Sequence, residues 1–579
     1  MRVSEVLSLS VLVLRHAVAS RAVTPDIRAD TNRDGIVDLT GDTDILGKTN
    51  WTEAFGAIFL PNIGDTDRRC SKLALSGPAL SNEALDDCND ASDDIQRAPQ
   101  FLAPLKTVPI AGLSKSAIGS VSVADPVARD LVRIFRKDGN TWAITGNNYT
   151  FNAEALQSGL NLGIDSRDVR RPDGWDGKVT VRFTVRDGNT TSSDNVALRV
   201  APVLTHHHLQ TVEKVLAVQG NKIDDPDLLR FTEDLSTIVK EAGVHSEVYL
   251  FNHSNDIWAQ DFVEPGYANM PGPNGTVSIR VMIRCPQDDR VAGRQLFEYY
   301  REAGVGAVQH LGGALEEINS GGNIETIPPF TFNGKTWPAG RVILGNHKEQ
   351  KHHIYPFLQA QETQEPVLLD TDWLLVGHVD EFLQFLPANN ERGWVLMADD
   401  PRAGMKMLKD IQTAGHGSTP AISRKNDSES NYPIYSPTVD EALADVNLLS
   451  TNEECSKRID ANLEILKRET GLEDAEILRI PALFEADPFG NENSPLRVSA
   501  CFPAAINSLV LSGFKTSVAP NPFGPVVDGR DVLSEAVTNE YSNIGMNVTF
   551  IDDWYTHHSF GGEVHSGTNT IRDMSAPWW

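Results

Sequence analysis

The stretch that decides the fold lies near the C-terminus and reads Gly562-Glu563-Val564-His565-Ser566-Gly567-Thr568-Asn569. It follows an apolar run, Val548 to Ile551, and a turn rich in aromatic residues. Glycines on both sides of the His-Ser pair let the backbone bend sharply, so a loop can present a small reactive side chain at the edge of a sheet. An ordinary glycine-framed hairpin has the same signature, and the rest of the chain must decide between the two.

The length and net charge of the sequence restrict the class of protein. A chain of 579 residues exceeds what one hydrophobic core usually serves, so we expect two or more domains. A formal net charge of -28 argues against a nucleic-acid partner, because nothing would offset the repulsion from phosphates. The same charge suits bound cations or a basic substrate, although much of it can also be ordinary solvated surface.

The N-terminus carries features of a secretory signal peptide over residues 1–19. A short apolar run from Val6 to Leu14 precedes the small-residue pattern Ala17-Val18-Ala19, and no later stretch is long enough to span a bilayer. Asn-x-Ser/Thr tripeptides, for example at Asn148 and Asn189, are compatible with a secreted glycoprotein. We therefore expect an extracellular protein.

The five cysteines cannot all pair with one another. Cys70 and Cys88 can form a disulfide across an acidic loop, Cys455 and Cys501 are a second candidate pair, and Cys285 is left free.

Two regions of different texture follow the signal. Residues 20–203 contain alternating runs such as Val179 to Val185 and Val196 to Val203, which predict a β-sandwich. The next residues, Leu204 to Leu209, include three histidines, which we interpret as a solvated linker rather than a metal site. Residues 210–579 have a mixed α/β pattern. Its clearest elements are an amphipathic helix over Glu453 to Thr470, with Ile459, Leu463 and Leu466 on one face, and strands at Val277 to Ile283, Val342 to Leu344, Trp373 to Val376, Trp394 to Met397 and Leu509 to Leu511.

Acidic clusters stand out in the first region. Asp30 to Asp38 places oxygen ligands around a glycine turn, as calcium loops do, but Gly41 stands where a calcium-binding EF-hand requires glutamate. A calcium site and a simple Asp/Gly turn remain equally open here. A second dense set of side chains would repel one another unless a cation lay among them; its members are Asn62, Asp65, Asp67, Asp86, Asp87, Asp90, Asp93 and Asp94.

Two segments of the second region carry candidate chemistry. Asn255 to Asp261 places acids beside Trp258, and Trp373 to Phe382 puts His378 and Asp380 two positions apart, on one face of the expected strand. Carboxylates, a tryptophan and a histidine together would suit a planar guanidinium and a proton transfer. Metal binding by the His-x-Asp pair is a weaker alternative, because no third ligand is evident.

Six strings in this order resemble the protein-arginine (peptidylarginine) deiminase family. They are NDIWAQD (255–261), GRVILG (340–345), DTDWLLVGHVDEF (370–382), NPFGPVVDGR (521–530), TFIDDWYTHH (549–558) and GEVHSGTN (562–569). The resemblance implies an immunoglobulin-like β-sandwich that binds calcium, followed by an α/β propeller (pentein) of five ββαβ modules over residues 210–579. It also implies calcium-dependent hydrolysis of protein-bound arginine to citrulline and ammonia, protein or peptide substrates, and a cytoplasmic alternative to secretion.

The resemblance also assigns roles residue by residue. Asp261 and Asp380 would bind the substrate guanidinium, His378 would be the general acid/base, and Trp258 and Val376 would line the arginine tunnel. Calcium ligands in the second region would be Gln260, Glu264 and Glu325 with backbone carbonyls near Gly321 and Ile324; in the first region they would be Asn62, Asp65, Asp67, Asp87, Asp90 and Asp94. The arginine that grips the substrate backbone in the family cannot be located, because Gln287-Asp288-Asp289 occupies that area.

The chain departs from the family at the nucleophile, where Ser566 stands in place of a cysteine. A thiol can be brought to the thiolate by local charge, whereas a serine hydroxyl needs a base in the transition state. Three hypotheses follow: a deiminase whose catalysis is compromised at Ser566, an inactive relative that still binds arginine side chains, and a serine hydrolase that uses His565. The third is the weakest, because adjacent residues in a turn do not make a nucleophile-base pair.

Overall fold

The computed structural model describes residues 23–220, 225–425, 434–486 and 497–579. The expected signal peptide over residues 1–19 lies outside the described residues. In the described ranges no helix is long and apolar enough to cross a membrane.

Residues 27–200, all of which are described, form two five-stranded sheets. In sheet order, the first contains Ile27–Ala29, Ala103–Thr107, Asn161–Ser166, Val132–Asp138 and Thr141–Ile144, and the second contains Ala57–Phe59, Thr190–Val200, Lys178–Asp187, Ile118–Val123 and Phe151–Asn152. Short helices at Arg69–Leu75, Asn82–Asp87, Pro126–Leu131 and Ala153–Ser158 connect them.

The two sheets bury one common hydrophobic core. Strand Lys178–Asp187 shows why: Val179, Val181, Phe183 and Val185 alternate inward between exposed or half-buried polar neighbours. This strand pairs antiparallel with Thr190–Val200 through a turn in which Gly188 has a φ of 61°. The immunoglobulin-like topology itself stays a prediction.

The described part of residues 204–579 contains five larger sheets with one recurring pattern. In each, an antiparallel strand pair is followed by a helical connection and a third strand parallel to its neighbour. The strand sets are Thr568–Arg572, Val212–Val218 and Tyr249–Phe251; Val263–Gly272, Gly275–Arg284 and Val305–Gln309; Ile324–Ile327, Arg341–His347 and Val367–Asp370; Leu383–Pro387, Trp394–Asp400 and Ile477–Pro481; and Leu509–Leu511, Thr516–Pro520 and Asn547–Ile551. The main helices of the connections are Pro226–Ala242, Tyr355–Gln361, Pro401–Ile411, Val439–Ala444, Val446–Thr470 and Val532–Asn543. The predicted five ββαβ modules are therefore present.

The last strand of the chain closes this set of modules. Thr568–Arg572 pairs antiparallel with Val212–Val218, the first long strand of the region, with Asn569 opposite Leu216. Because the turn at 564–567 leads directly into this strand, closure fixes the position of Ser566 between the first and last modules.

The predicted solvated linker with three histidines is wrong. Leu204–Thr205 pairs with strand Val263–Gly272, and His206, His207 and His208 are all buried. His208 Nδ1 lies 2.9 Å from the carbonyl oxygen of Phe385, so the polar ring atoms are satisfied inside the protein. Ring closure draws this segment into the interior, which its local composition does not reveal.

Other local predictions have mixed outcomes. The strand expected at Trp373 to Val376 is wrong, because Gly377 has a φ of 89° and residues Val379–Glu381 form a 3-10 helix that His378 caps. The helix expected over Glu453 to Thr470 is confirmed but begins earlier, at Val446, and ends at Gly471 as predicted. A disulfide joins Cys70 and Cys88, whereas Cys455 and Cys501 are free, so the second pairing is wrong.

Candidate active site

A cavity of about 1080 Å³ passes between the modules. Four side chains that the sequence singled out line its inner end: Trp258, Asp261, Val376 and Ser566. Segments far apart in the chain are thus brought to one place, as the resemblance implied. A cavity of this size is at the upper end for small-molecule sites.

Asp261 lies on the short helix Ala259–Phe262 and is almost completely buried. Its Oδ1 accepts a hydrogen bond from the backbone N–H of Gly322 (3.3 Å). Burial raises the pKa of Asp261 to about 6, and the positive charges of Arg290 and His378 limit the rise. A side chain on Gly322 would collide with both Asp261 and His378, with its Cβ 2.8 and 2.7 Å from their polar atoms, so glycine is required there for close approach.

Arg290 is a functional-site residue that sequence reasoning missed. Its guanidinium pairs with Asp256 (Nε to Oδ2, 2.7 Å) and with Asp261 (Nη2 to Oδ2, 3.3 Å). Although burial acts in the opposite direction, these carboxylates raise the pKa of Arg290. Electrostatics could have predicted this residue from the sequence, because Asp256 and Asp261 beside Trp258 need a cation if they are buried. Arg290 is a candidate for that cation, since it directly follows the segment 287–289.

His378 lies between carboxylates and is 2% exposed. Its Nε2 is 2.8 Å from the carbonyl oxygen of Glu317, which can only accept, so Nε2 carries a proton and donates it. Nδ1 lies 3.9 Å from Asp261 Oδ1. Burial lowers the pKa of His378, but Asp261 and Asp380 outweigh it, so the net shift is upward. A histidine with a raised pKa can supply a proton near neutral pH.

Asp380 is fixed on one side only. Its Oδ2 accepts from Asn507 Nδ2 (2.8 Å) and lies 2.8 Å from His565 Nδ1. Its Oδ1 is buried and has no hydrogen-bond partner among the described residues. A buried carboxylate oxygen without a partner is costly and favours a cationic ligand, although neither Asp380 nor His378 is among the described residues that line the cavity.

Ser566 is held by the same asparagine. The amide oxygen Oδ1 of Asn507 accepts from both the backbone N–H (3.2 Å) and Oγ (3.3 Å) of Ser566. In the described part of the chain Oγ makes no hydrogen bond to a histidine or a carboxylate. Asn507 therefore connects the serine to Asp380, a link that no sequence motif indicated.

The glycines around Ser566 act by close packing. A Cβ on Gly562 would lie 2.5 Å from the Trp258 ring, and one on Gly567 would lie 2.2 Å from His557 Nε2. Neither glycine has a positive φ. The chain does turn at 564–567, as expected, but Ser566 is 7% exposed, so the expected exposed serine is wrong. The Trp258 ring packs edge-on against His557 with centroids 5.3 Å apart, which fixes one wall of the cavity.

The residues expected to hold calcium in this region do lie together. Gln260, Glu264, Ile324 and Glu325 line one enclosed chamber of about 30 Å³, and Gly321 packs against the Gln260 backbone. Gln260 Nε2 donates to Glu264 Oε2 (3.2 Å), while the buried Gln260 Oε1 has no partner among the described residues.

The two glutamates of this chamber resist ionisation together. Burial raises the pKa of Glu264 far above its usual range, and the neighbouring Glu325 raises it further. Burial also raises the pKa of Glu325 to about 7, with the positive charge of His565 opposing the change. Two buried carboxylates and an orphaned amide oxygen are donors of the kind that Ca²⁺ prefers, although Arg572 lines the same chamber and its positive charge lowers the pKa of both glutamates.

Three of the residues proposed for calcium in the first region have other partners. Asp65 accepts from the N–H groups of Cys70 and Ser71, at 2.8 and 2.9 Å, which belong to the first turn of the helix Arg69–Leu75. Asp90 accepts from Thr66 in the same manner. Asn62 is buried and donates to a neighbouring aspartate, but its Oδ1 is unpartnered within the described ranges.

The remaining three, Asp67, Asp87 and Asp94, are exposed, and Asp94 pairs with Arg167 at 2.8 Å. Arginines thus supply part of the positive charge that the acidic set was expected to need. Among the described residues no group of three His, Cys, Asp or Glu side chains is arranged to hold a metal ion. Calcium binding in this region stays a prediction, including at Asp30, which accepts from the N–H groups of Asp34 and Gly35.

The chain is similar in sequence to several known proteins. Mouse (Mus musculus) protein-arginine deiminase type-4 is 34% identical over 402 residues, which cover 67% of this chain and 56% of that protein. Human (Homo sapiens) protein-arginine deiminase type-3 is 31% identical over 427 residues, or 70% and 60% of the two chains. This chain therefore spans less than two thirds of the length of these relatives.

Among solved structures, the agmatine deiminase of C. jejuni shares 14% identity over 64% of this chain and 96% of that protein, with a TM-score of 0.34. The sequence model of the family described as Protein-arginine deiminase (PAD) matches residues 190–579, well over half of the sequence. The chain belongs to the protein-arginine deiminase family.

Proposed function

We propose that the cavity binds arginine side chains of proteins or peptides and is arranged for their calcium-dependent hydrolysis to citrulline and ammonia. The observation that supports this most directly is the unpartnered, buried Oδ1 of Asp380 close to Ser566, the two linked through Asn507. A planar guanidinium, with its fork of donors, satisfies such an oxygen better than an ammonium does. The net charge of -28 favours a basic ligand and disfavours nucleic acid.

In this proposal each polar residue has one task. Asp380 binds the guanidinium with Oδ1, and Asp261 adds negative charge while sharing its other oxygen with Arg290. Trp258 and Val376 enclose the apolar stem of the arginine. The nucleophile forms a bond to the guanidinium carbon, a C–N bond breaks, and the leaving nitrogen takes a proton from His378 and departs as ammonia. Water then adds to the covalent intermediate, which releases citrulline and the nucleophile.

Ser566 is the weak member of this set. Attack by its Oγ requires a base, and its one hydrogen bond within the described residues is to the neutral oxygen of Asn507. This observation favours a second candidate function, a relative that binds arginine side chains without converting them. The two candidates share the pocket and differ only at the attacking atom.

Calcium would bind through Gln260, Glu264 and Glu325 with backbone carbonyls near Gly321 and Ile324. The ion would supply positive charge to two carboxylates that otherwise hold protons, and it would fix the strands that carry them. Helix Ala259–Phe262 contains both Gln260 and Asp261, so order at the ion would be passed to the arginine site. The apolar N-terminal run, which resembles a signal peptide, supports secretion to the extracellular space, where calcium is abundant.

Citrulline formation tests the proposal. The chain and its Ser566→Cys variant are incubated with a peptide containing one arginine, in calcium and in chelator, and citrulline is measured by mass spectrometry. We expect activity from the cysteine variant in calcium only, with the serine chain lower by orders of magnitude, on the order of 10⁶-fold for loss of a nucleophile. A cysteine variant that is folded and binds the peptide but forms no citrulline would overturn hydrolysis and leave the binding function.

A further inference from the structure

The cavity continues well beyond the residues that would hold an arginine side chain. Its outer part, here called the annex, is lined by Glu441, Asp445, Leu448, Phe484 and Glu485. These residues lie on the helices Val439–Ala444 and Val446–Thr470 and on the strand Phe484–Ala486 of the fourth module, with Asp445 between the two helices. None of them belongs to the arginine site described above.

The charge of the cavity has one sign. Its described lining residues include the acids Glu317, Glu441, Asp445 and Glu485 but no lysine or arginine, while burial raises the pKa of Glu563 to about 8 and that of Glu381 to about 7, so these two add little negative charge at neutral pH. Asp261 is paired with Arg290 from behind, whereas the annex carboxylates have no such cation on the lining. Low-dielectric walls of one charge concentrate the field along a cleft and attract cations.

The annex acids are held in place by the backbone. Glu441 accepts from the N–H and the hydroxyl of Thr438, at 2.8 and 2.9 Å, and Asp445 accepts from the N–H of Asn447 at 2.9 Å. Both are helix-capping residues, so their side chains are held in place before a ligand binds. Fixed carboxylates lose little conformational entropy when they bind a ligand.

An apolar floor lies below these acids. Leu408 and Leu483 are buried, Phe484 is 1% exposed, and Leu448 is half-buried beside them. Apolar surface beneath a carboxylate rim matches a lysine or arginine side chain, whose aliphatic stem packs on the floor while its head reaches the rim. A simple aliphatic side chain would leave the rim charges unused.

We propose that the annex binds a second basic side chain of the same polypeptide that carries the target arginine. The preferred ligand is then a polypeptide with two basic residues separated by a few positions. This inference rests on the proposed arginine site and adds the identity of a neighbouring residue in its ligand.

Binding of labelled peptides tests the inference. Peptides of equal length carry one arginine in a Gly/Ser background and form three series. One flanking position at a time is lysine in the first series and leucine in the second, and it stays serine in the third. At low ionic strength we expect the best lysine peptide to bind at least about tenfold more tightly than the serine peptide, with the preference shrinking as salt is added. Equal affinity for lysine and serine, or equal affinity for lysine and leucine, would overturn the inference.

Conservative variants connect the preference to the annex. Glu441→Gln with Asp445→Asn keeps both helix caps, since Gln and Asn serve at these positions, but removes two charges. The lysine-to-serine affinity ratio should fall to near one in this double variant. The preference for lysine should persist in the control variant Glu464→Gln with Asp474→Asn, which removes two exposed charges elsewhere on the surface. Loss of the preference in both double variants would indicate a general charge effect and refute the site. Failure of the serine peptide to bind at all would instead contradict the arginine site itself.

Discussion

Replacing Asp380 by asparagine is expected to abolish arginine binding more completely than a loss of charge alone would. Oδ2 of Asp380 receives Asn507 Nδ2 and faces His565 Nδ1, both at 2.8 Å. An asparagine must place its own oxygen on that side, because its amide nitrogen cannot face two donors. The nitrogen therefore takes the position of Oδ1, from which the proposed guanidinium is bound.

The magnitude follows from this geometry. Removing one partner of a buried, hydrogen-bonded charge pair costs about 2–5 kcal/mol, which weakens binding about 30- to 5,000-fold. In the variant, the amide N–H of the new asparagine also faces the N–H groups of the guanidinium, and two donors cannot form a hydrogen bond. We therefore expect a loss of affinity near the upper end of that range. The free protein should remain folded, since the variant keeps the hydrogen bonds to Asn507 and His565.

Calorimetric titration with a blocked arginine amide measures the effect in the chain with Ser566, where turnover does not interfere. Asp399→Asn is the matched control, because within the described ranges Asp399 is 1% exposed with an unpartnered Oδ2 but, unlike Asp380, makes no hydrogen bond to Asn507 or His565. A fall in affinity of less than about threefold in a folded Asp380→Asn variant would refute the reasoning, as would an equal fall in the control.

Two further predictions concern the metal and pH. Calcium should raise the melting temperature, because a ligand at 100 times its dissociation constant stabilises the folded state by about 2.7 kcal/mol. Glu325→Gln should remove most of that rise, and magnesium is the control ion. If calcium does not shift the melting temperature of the original chain, the metal assignment is refuted. The second prediction concerns Glu563: burial raises its pKa to about 8, although the N–H of Ala504 and the neighbouring Asp553 oppose the rise. The folded chain thus keeps a proton that the unfolded chain releases near pH 4.5, so stability should fall between about pH 4.5 and 8, by up to about 5 kcal/mol. Glu563→Gln should flatten this fall in urea unfolding at pH 5 and pH 9, and parallel pH profiles for variant and parent would contradict the assignment.

The parts of the fold that the sequence predicts are those set by local pattern. Strand Lys178–Asp187 follows its own alternation, and the end of helix Val446–Thr470 follows from Gly471, whose φ is 70°. The strand expected before His378 fails because Gly377 turns the chain and Glu381 caps the next turn, accepting from the N–H groups of Gly377 and His378 at 2.8 and 2.7 Å. A short apolar run cannot reveal such a competing local interaction.

The parts of the site that escape the sequence depend on distant partners. Asn507 is a single amide in an unremarkable loop, and its role arises because it meets Asp380 and Ser566 from two other modules. The buried histidines such as His206 follow the same rule, since closure of the modules, not composition, removes them from water. Motif strings identify residues that contact a ligand better than residues that hold those residues in place.

The pocket and the attacking atom are separable in this architecture. Asp261 is held by Arg290 and Gly322, and Asp380 by Asn507 and His565, so none of the hydrogen bonds that fix the two carboxylates comes from Ser566 Oγ. That hydroxyl makes one long contact of 3.3 Å to Asn507, which a thiol can replace at little cost. A cysteine at this position would therefore change the chemistry without rebuilding the cage. For this reason binding by the serine chain and turnover by the cysteine variant are independent measurements, and arginine affinity in the serine chain is the sharper test of the pocket.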